Sequence, residues 1–318
     1  MVGSPGTLVP AASGDISVAA GRNERVRAVL QDTTQLSCGP HTVLLDLRRT
    51  TPIWEQGYHR LRVYRDNREI WSLSEEAGIT EVACKSLTGD GVPGLILTTY
   101  SFGAHCCTTI YVLSLRSEPK LLLQFLAGHD GGYDIRDLKG TGTLQLILGD
   151  DTFSYFGGLS FAGSPSLLPL VACYRNGSFV DCTREFPDVV QESIESYRAR
   201  LEDTRRRIKS GELEASPWWA AEWDADFWIA GHVLGIYADL ALLGQERAGW
   251  AVVRSEVRST RVLKWFECHR PTVQRWAGHR EKEILHDSGP SHATILSETP
   301  GCEKWALSGI ANVPPSRR

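Results

Sequence analysis

Apolar and polar positions alternate with a period of two through the first half of the chain. Beyond Phe186 the period becomes helical. Thr42–Leu47 (TVLLDL) is the first strand this pattern predicts. Arg60–Tyr64 and Ile70–Ser74 alternate on either side of Asp66-Asn67-Arg68, a turn signal, and together predict a β-hairpin. Ile79–Cys84 is a further strand; Thr108–Leu115 and Lys120–Leu126 flank the turn Ser117-Glu118-Pro119, and Tyr133–Leu138 follows. After Phe186, one apolar stripe runs through Val190, Ile194, Tyr197, Leu201 and Ile208, with Pro187 suited to the first helical position and Gly211 to the end. Glu202/Arg206 and Asp203/Arg207 are i,i+4 pairs on the wet side of that helix. A second helix is predicted from Ser216-Pro217 to Gly244 through Trp219, Trp223, Phe227, Ala230, Leu234, Tyr237 and Ala241, with Gly231 and Gly235 leaving room for a close neighbour. Glu246–Glu267 predicts a third helix, and Pro271 opens a fourth carrying Val273, Trp276 and Ile284. The fold class is therefore α+β: a leader or linker over 1–35, a β-rich region over 36–185, and a helical region over 186–318 that ends in a tail.

One stretch recurs. Ser86–Phe102 (SLTGDGVPGLILTTYSF) returns as Asp137–Phe153 (DLKGTGTLQLILGDDTF), offset by 51 residues with seven of 17 positions identical. Each copy is a Gly-x-Gly turn, Gly89/Gly91 or Gly140/Gly142, followed by Leu-Ile-Leu, which reads as a buried strand. A period of about 50 residues is the size of one propeller blade or a similar β unit. Lead-in strand, glycine turn and strand occur twice, which is too little chain for a closed propeller of four or more blades. An abbreviated sheet assembly is expected, with its open edge covered by something else.

The two copies resemble FG-GAP repeats, also called VCBS or integrin-alpha-like repeats, in Ser86–Leu95 and in Asp137–Gly142 with Gln145-Leu146. The resemblance implies propeller-blade-like β units in an extracellular or periplasmic protein that binds calcium in the loop and partners on its surface. The oxygen donors it implies are Ser86, Thr88, Asp90 and Gly94 in the first copy, and Asp137, Lys139, Thr141 and Gln145 in the second. Each loop keeps one carboxylate, and Lys139 puts a cation where an oxygen belongs. Calcium takes six to eight oxygens, several of them charged, so the expectation is a turn that kept its shape and lost its ion.

Composition narrows the class. Hydrophobic residues make up 42% and charged residues 23% of 318, which suits a globular core. A net charge of −4 leaves no electrostatic footprint for nucleic acid, and no apolar run is long enough for a membrane span. Ten tryptophans with one methionine point first to a Trp-rich core. Eight cysteines are scattered without a C-x-x-C, the pattern of a disulfide framework in an oxidising compartment. Met1–Ser17 has neither a basic n-region nor an apolar h-region. Secretion or a periplasmic location is nonetheless expected, the chain reading as a mature one behind a start methionine.

Val171–Cys182 is a hairpin with two available turns. A type I′ turn at Asn176-Gly177 sets Cys173 opposite Val180, whereas a type II′ turn at Gly177-Ser178 sets it opposite Cys182. The second register, with a Cys173–Cys182 link, is the expectation. Cys268 and Cys302, alone in the helical region, are expected to pair. His105-Cys106-Cys107 admits three readings: copper or zinc ligation, a vicinal disulfide, or separate pairing with Cys38 and Cys84. His129-Asp130 and Asp150 at related strand ends make a metal or acid–base cluster, or simply polar turns. No catalytic signature appears. The function expected is that of an exported, non-catalytic binding or interaction protein with an unidentified protein or small-molecule partner and no cofactor. The alternatives are a metal-binding or redox envelope protein centred on His105-Cys106-Cys107, and a hydrolase using the Asp/His cluster.

Overall fold

A computed structural model describes residues 15–17, 33–48, 57–103, 106–128, 131–160, 163–165, 167–213, 226–280 and 301–302. The chain divides into two compact units, Met1–Gly132 with Lys139–Leu144 and Tyr174–Phe179, and Tyr133–Leu138 with Gln145–Cys173 and Val180–Arg318. The class is α+β, with antiparallel sheets first and helices toward the C-terminus. The sheets do not close into a propeller among the described residues.

The first unit holds an antiparallel meander. Its strands are β1 (Asp15–Ser17), β2 (Thr33–Cys38), β3 (His41–Arg48), β4 (Gly57–Arg65), β5 (Arg68–Lys85), β6 (Gly94–Gly103), β7 (Cys106–Ser114) and β8 (Lys120–Gly128). Neighbours pair in chain order from β2 to β8, and β1 pairs with β5. The β4–β5 turn is where the sequence placed it. Asp66 and Asn67 both take positive φ (50° and 61°), as a type I′ hairpin needs. Strand β1 falls inside the expected leader and β2 straddles its end at residue 35; β2 was missed because Leu36 and Cys38 are its only buried apolar positions. Gly39, in the β2–β3 turn, is doubly constrained: its φ is +60°, and a Cβ would lie 2.6 Å from Pro93 Cγ. Leu36, Val43, Leu61, Val82, Leu95 and Leu113 share one core. Cys38 and Cys84 belong to that same face, and they pair with each other, Cα–Cα 5.6 Å. The expectation that each reaches Cys106 or Cys107 is thereby corrected. Strand parity decides it, since both cysteines point into a common core.

A second antiparallel sheet holds β9 (Tyr133–Arg136), β10 (Gln145–Asp150), β11 (Leu168–Arg175) and β12 (Ser178–Asp181) in the order β12-β11-β10-β9, most of it in the second unit. The expected boundary lay near residue 185; the compact units divide earlier, and Val171, Cys173 and Cys182 of the sheet region share a core with Phe186 and Val189. The recurring stretch is also a recurring hairpin. Lys85 pairs with Gly94 and Ala83 with Ile96 in β5–β6, while Arg136 pairs with Gln145 and Asp134 with Ile147 in β9–β10. Every pair moves to its counterpart by the same 51 residues that separate the copies. All four turn glycines, Gly89, Gly91, Gly140 and Gly142, have positive φ.

The Cys173–Cys182 link is present, Cα–Cα 5.9 Å, but in the other register. Asn176 and Gly177 both take positive φ (51° and 89°), so the turn is type I′. The Cys182 N–H donates to Val171 O at 2.8 Å, which leaves Cys173 facing Val180. The cysteines are diagonal neighbours on one face. Cys182 lies just past β12, with φ −124° and ψ 20°, at the start of a 3-10 turn that curls it back toward Cys173.

Four α-helices are described: α1 (Pro187–Lys209), α2 (Asp226–Leu242), α3 (Glu246–Glu256) and α4 (Thr260–His279). Helix α1 follows the predicted stripe, burying Val190, Ile194, Tyr197 and Leu201. Helix α2 is buried on nearly every side, and Gly231 and Gly235 are needed there: Cβ atoms would meet Gly163 O at 2.2 Å and the Tyr197 ring at 2.4 Å. Its expected start, Ser216-Pro217 with Trp219 and Trp223, lies outside the described residues, as do Ile284 and the tail. The third helix stops at Glu256, eleven residues short of its expected end at Glu267, and Pro271 is inside α4 rather than at its start. Asp226 causes the break: Oδ2 accepts from the backbone N–H groups of Arg258 and Ser259, both at 2.5 Å. Ser259 then caps α4 by accepting from the Val262 N–H. Cys268, inside α4, pairs with Cys302 as expected, Cα–Cα 5.7 Å. Trp265 and Trp276 are fully buried and Trp250 nearly so, the core role expected of the tryptophans.

Candidate functional site

The glycine loop of the first copy holds its own charge. Asp90 Oδ1 accepts from the Val92 N–H at 3.0 Å and from the Thr88 hydroxyl, while Oδ2 pairs with the Arg116 guanidinium. The Thr88 and Val92 donors, with the Arg116 charge, hold this carboxyl below its ordinary range. The one carboxylate that the first loop would offer to calcium thus faces an arginine. Ser86 Oγ is buried without a hydrogen-bond partner, and Asp137 is exposed at the head of the second loop.

His105, His129 and Asp130 lie outside the described residues, as does the side chain of Cys106. Cys107 is disulfide-bonded, so its sulfur is not a thiolate ligand in this state. Among the described residues no group of three His, Cys, Asp or Glu side chains has an arrangement that could hold a metal ion.

Asp150 belongs to a different cluster from the one expected. It ends β10, Asp181 ends β12, Asp239 is in α2 and Arg280 caps α4. Each strand-end aspartate folds onto the threonine two residues on: Asp150 Oδ1 accepts from the Thr152 N–H at 2.9 Å, and Asp181 Oδ1 from the Thr183 N–H at 2.8 Å. Arg280 joins them. Its Nε donates to Asp181 Oδ2 at 3.1 Å, its Nη2 donates to Pro169 O at 2.9 Å, and its Nη1 lies 3.7 Å from Asp150 Oδ2. The guanidinium also lies over the Trp276 ring, 5.0 Å from its centroid. Asp239 is fully buried, and neither of its oxygens has a hydrogen bond of normal geometry. Burial pushes its carboxyl up to about 7; Ser193 and the Arg280 charge partly offset this, and Asp150 adds to it. The guanidinium braces the end of α4 against the sheet through Asp181, Asp150 and the Pro169 carbonyl. A cavity of about 140 Å³ adjoins it, lined by Asp181, Thr183, Arg184 and Arg280 among others. Sequence reasoning missed Asp181, Asp239 and Arg280 because three separate elements bring them together. The available signal was Asp239 itself, a charge in a helix that is apolar on every side.

A second feature is open to ligands. Helices α1 and α2 enclose a groove of about 650 Å³. On α1 its edge is Ser196, Ala199, Arg200, Asp203, Thr204 and Arg207, at the spacing that puts residues on one helical face. Trp228 and His232, one turn apart on α2, form the other wall, with Leu213 at one end. His232 Nε2 is 3.1 Å from Thr204 Oγ1, while Nδ1 is buried with no hydrogen-bond partner. Burial, and then the Arg200 charge, hold the imidazole below its ordinary value. The surface pairs differ from those expected: Arg206 pairs with Asp203, and Arg207 with Glu212 at 3.2 Å. Comparison of the chain with protein-family models, with curated proteins and with solved structures gives no match.

Proposed function

We propose that the chain is an exported, non-catalytic binding protein that takes a small ligand in the groove between α1 and α2. The groove carries this reading. Its volume of about 650 Å³ is that of a small-molecule pocket, and a few polar groups, His232, Thr204 and Arg200, converge there beside one indole, Trp228. The links Cys38–Cys84, Cys173–Cys182 and Cys268–Cys302 support an oxidising compartment, secreted or periplasmic. The shared register of the two glycine hairpins supports descent from blade-like FG-GAP repeats, and the Asp90–Arg116 pair supports a calcium loop that has lost its ion. No described helix is long and apolar enough to cross a membrane.

The test is a ligand-observed NMR screen of the whole chain against carboxylates, phosphates, neutral sugars and neutral aromatics, with hits mapped on the tryptophan indole N–H signals. Hits that move the Trp228 signal are expected. Hits that move only other tryptophans, or a screen without hits, would overturn the groove as the site.

A further inference from the structure

We infer that Cys106 and Cys107 close a vicinal disulfide, and that this link is a redox-sensitive element that opens before the other three. The assignment comes from count and from backbone register. Cys107 is disulfide-bonded. Cys38 is joined to Cys84, Cys173 to Cys182 and Cys268 to Cys302. The chain has eight cysteines, so Cys106 is the partner that remains. Neighbouring residues of a regular strand point to opposite faces, so their sulfurs can meet only where the strand is irregular. The register breaks at this place. Tyr100 pairs with Thr108 and Gly103 with Cys106, which sets Ser101 and Phe102 of β6 against Cys107 alone. Two residues facing one is a β-bulge. The Cys107 N–H donates to Ser101 Oγ at 2.5 Å, which anchors it.

Two observations make this link the labile one. The other three join Cα atoms 5.6, 5.9 and 5.7 Å apart, within the ordinary range of about 4.4–6.8 Å. Adjacent Cα atoms are at most about 3.8 Å apart, and a link outside the ordinary range is more readily reduced. Access points the same way. Cys107 is half-buried at the end of the β6–β7 hairpin, whereas each other link has a member that is almost fully buried, Cys38, Cys173, Cys182 or Cys302. The reductant is a small dithiol. One of its thiolates attacks a sulfur of the pair, and its second thiol displaces the mixed disulfide. Two electrons and two protons pass to the protein, which gains two thiols as the reagent closes to its own disulfide.

The test is a redox titration of the whole chain in mixtures of reduced and oxidised dithiothreitol, with thiols trapped by iodoacetamide and located by peptide mass spectrometry. Cys106 and Cys107 should be alkylated together and first, at a reduced-to-oxidised ratio at least about tenfold lower than opens any other link. Before reduction they should lie in one peptide that is joined to no other and takes up no iodoacetamide. Phenylarsine oxide, which bridges two adjacent thiols, should bind once per chain after this step and not before it. The amide signals of Ser101 and Cys107 should shift on reduction and return on reoxidation. A Cys106→Ser, Cys107→Ser double variant should lose the first step and keep the others. A peptide joining Cys107 to any other cysteine, or a pair that opens only together with the buried links, would overturn the inference. The measurements on the parent chain decide it even if the double variant does not fold.

Discussion

Arg280 Nε donates to Asp181 Oδ2 at 3.1 Å, tying the C-terminal cap of α4 to the end of β12 across 99 residues of sequence. Both side chains are almost fully buried, 8% and 7% exposed. A buried pair is weak evidence of net stability, but removing one partner strands the other. Arg280→Met should therefore cost about 3–5 kcal/mol in urea unfolding, because it leaves Asp181 and Asp150 without their cation. A loss below 1 kcal/mol would show that water replaces the guanidinium.

Asp239 gives the opposite sign. Its folded-state value is raised from 3.8 to about 7. Below pH 4 the carboxyl is protonated whether folded or unfolded, and it costs nothing. As pH rises from 4 to 7 the unfolded chain gives up this proton while the folded chain holds it, so stability falls, by about 4 kcal/mol in all. Asp239→Asn should thus be the more stable protein at pH 7.5, with the difference closing toward pH 4. Equal pH profiles for the two proteins would contradict the burial described for Asp239.

The disulfides should rank by the loop each closes. On the chain-entropy relation, removing Cys38–Cys84, which spans 46 residues, should cost about 4 kcal/mol. Removing Cys173–Cys182, which spans 9, should cost about 2–3 kcal/mol. Paired Cys→Ser variants in guanidinium unfolding measure both. Non-reducing peptide mapping checks the connectivity, including Cys268–Cys302.

With Arg116 on Asp90 and a single carboxylate in each loop, calcium and a chelator should leave the melting temperature alike. A rise of several degrees in millimolar calcium would show that the ion displaces the guanidinium.

Much of the fold was legible because local chemistry and tertiary demand agree. Asp66-Asn67 turns because those residues tolerate positive φ, and the Gly-x-Gly loops do so for the same reason. The α1 stripe from Val190 to Leu201 is buried as its spacing required. Three misreadings have distinct physical causes. At Asn176-Gly177 the turn's own preference fixed the register, and the disulfide formed on the diagonal instead of forcing the cysteines opposite. At Arg258-Ser259 a distant carboxylate, Asp226, ended α3 where helical periodicity continued. The Asp181–Asp239–Arg280 centre had no spacing to read, since β12, α2 and α4 each contribute one member. The groove was half visible: Asp203 and Arg207 were placed on the wet face of α1, but their facing partners Trp228 and His232 depend on how α2 packs.

The most direct measurement fills the groove without touching the core. Ala199 is exposed on α1 and lines the groove, so Ala199→Trp puts an indole where a ligand would lie. The melting temperature should stay within about 2 °C of the parent, as for a surface substitution. Every ligand that moves the Trp228 signal in the parent should lose at least about tenfold in affinity for the variant. Unchanged affinity in a folded Ala199→Trp protein would contradict a binding site between α1 and α2.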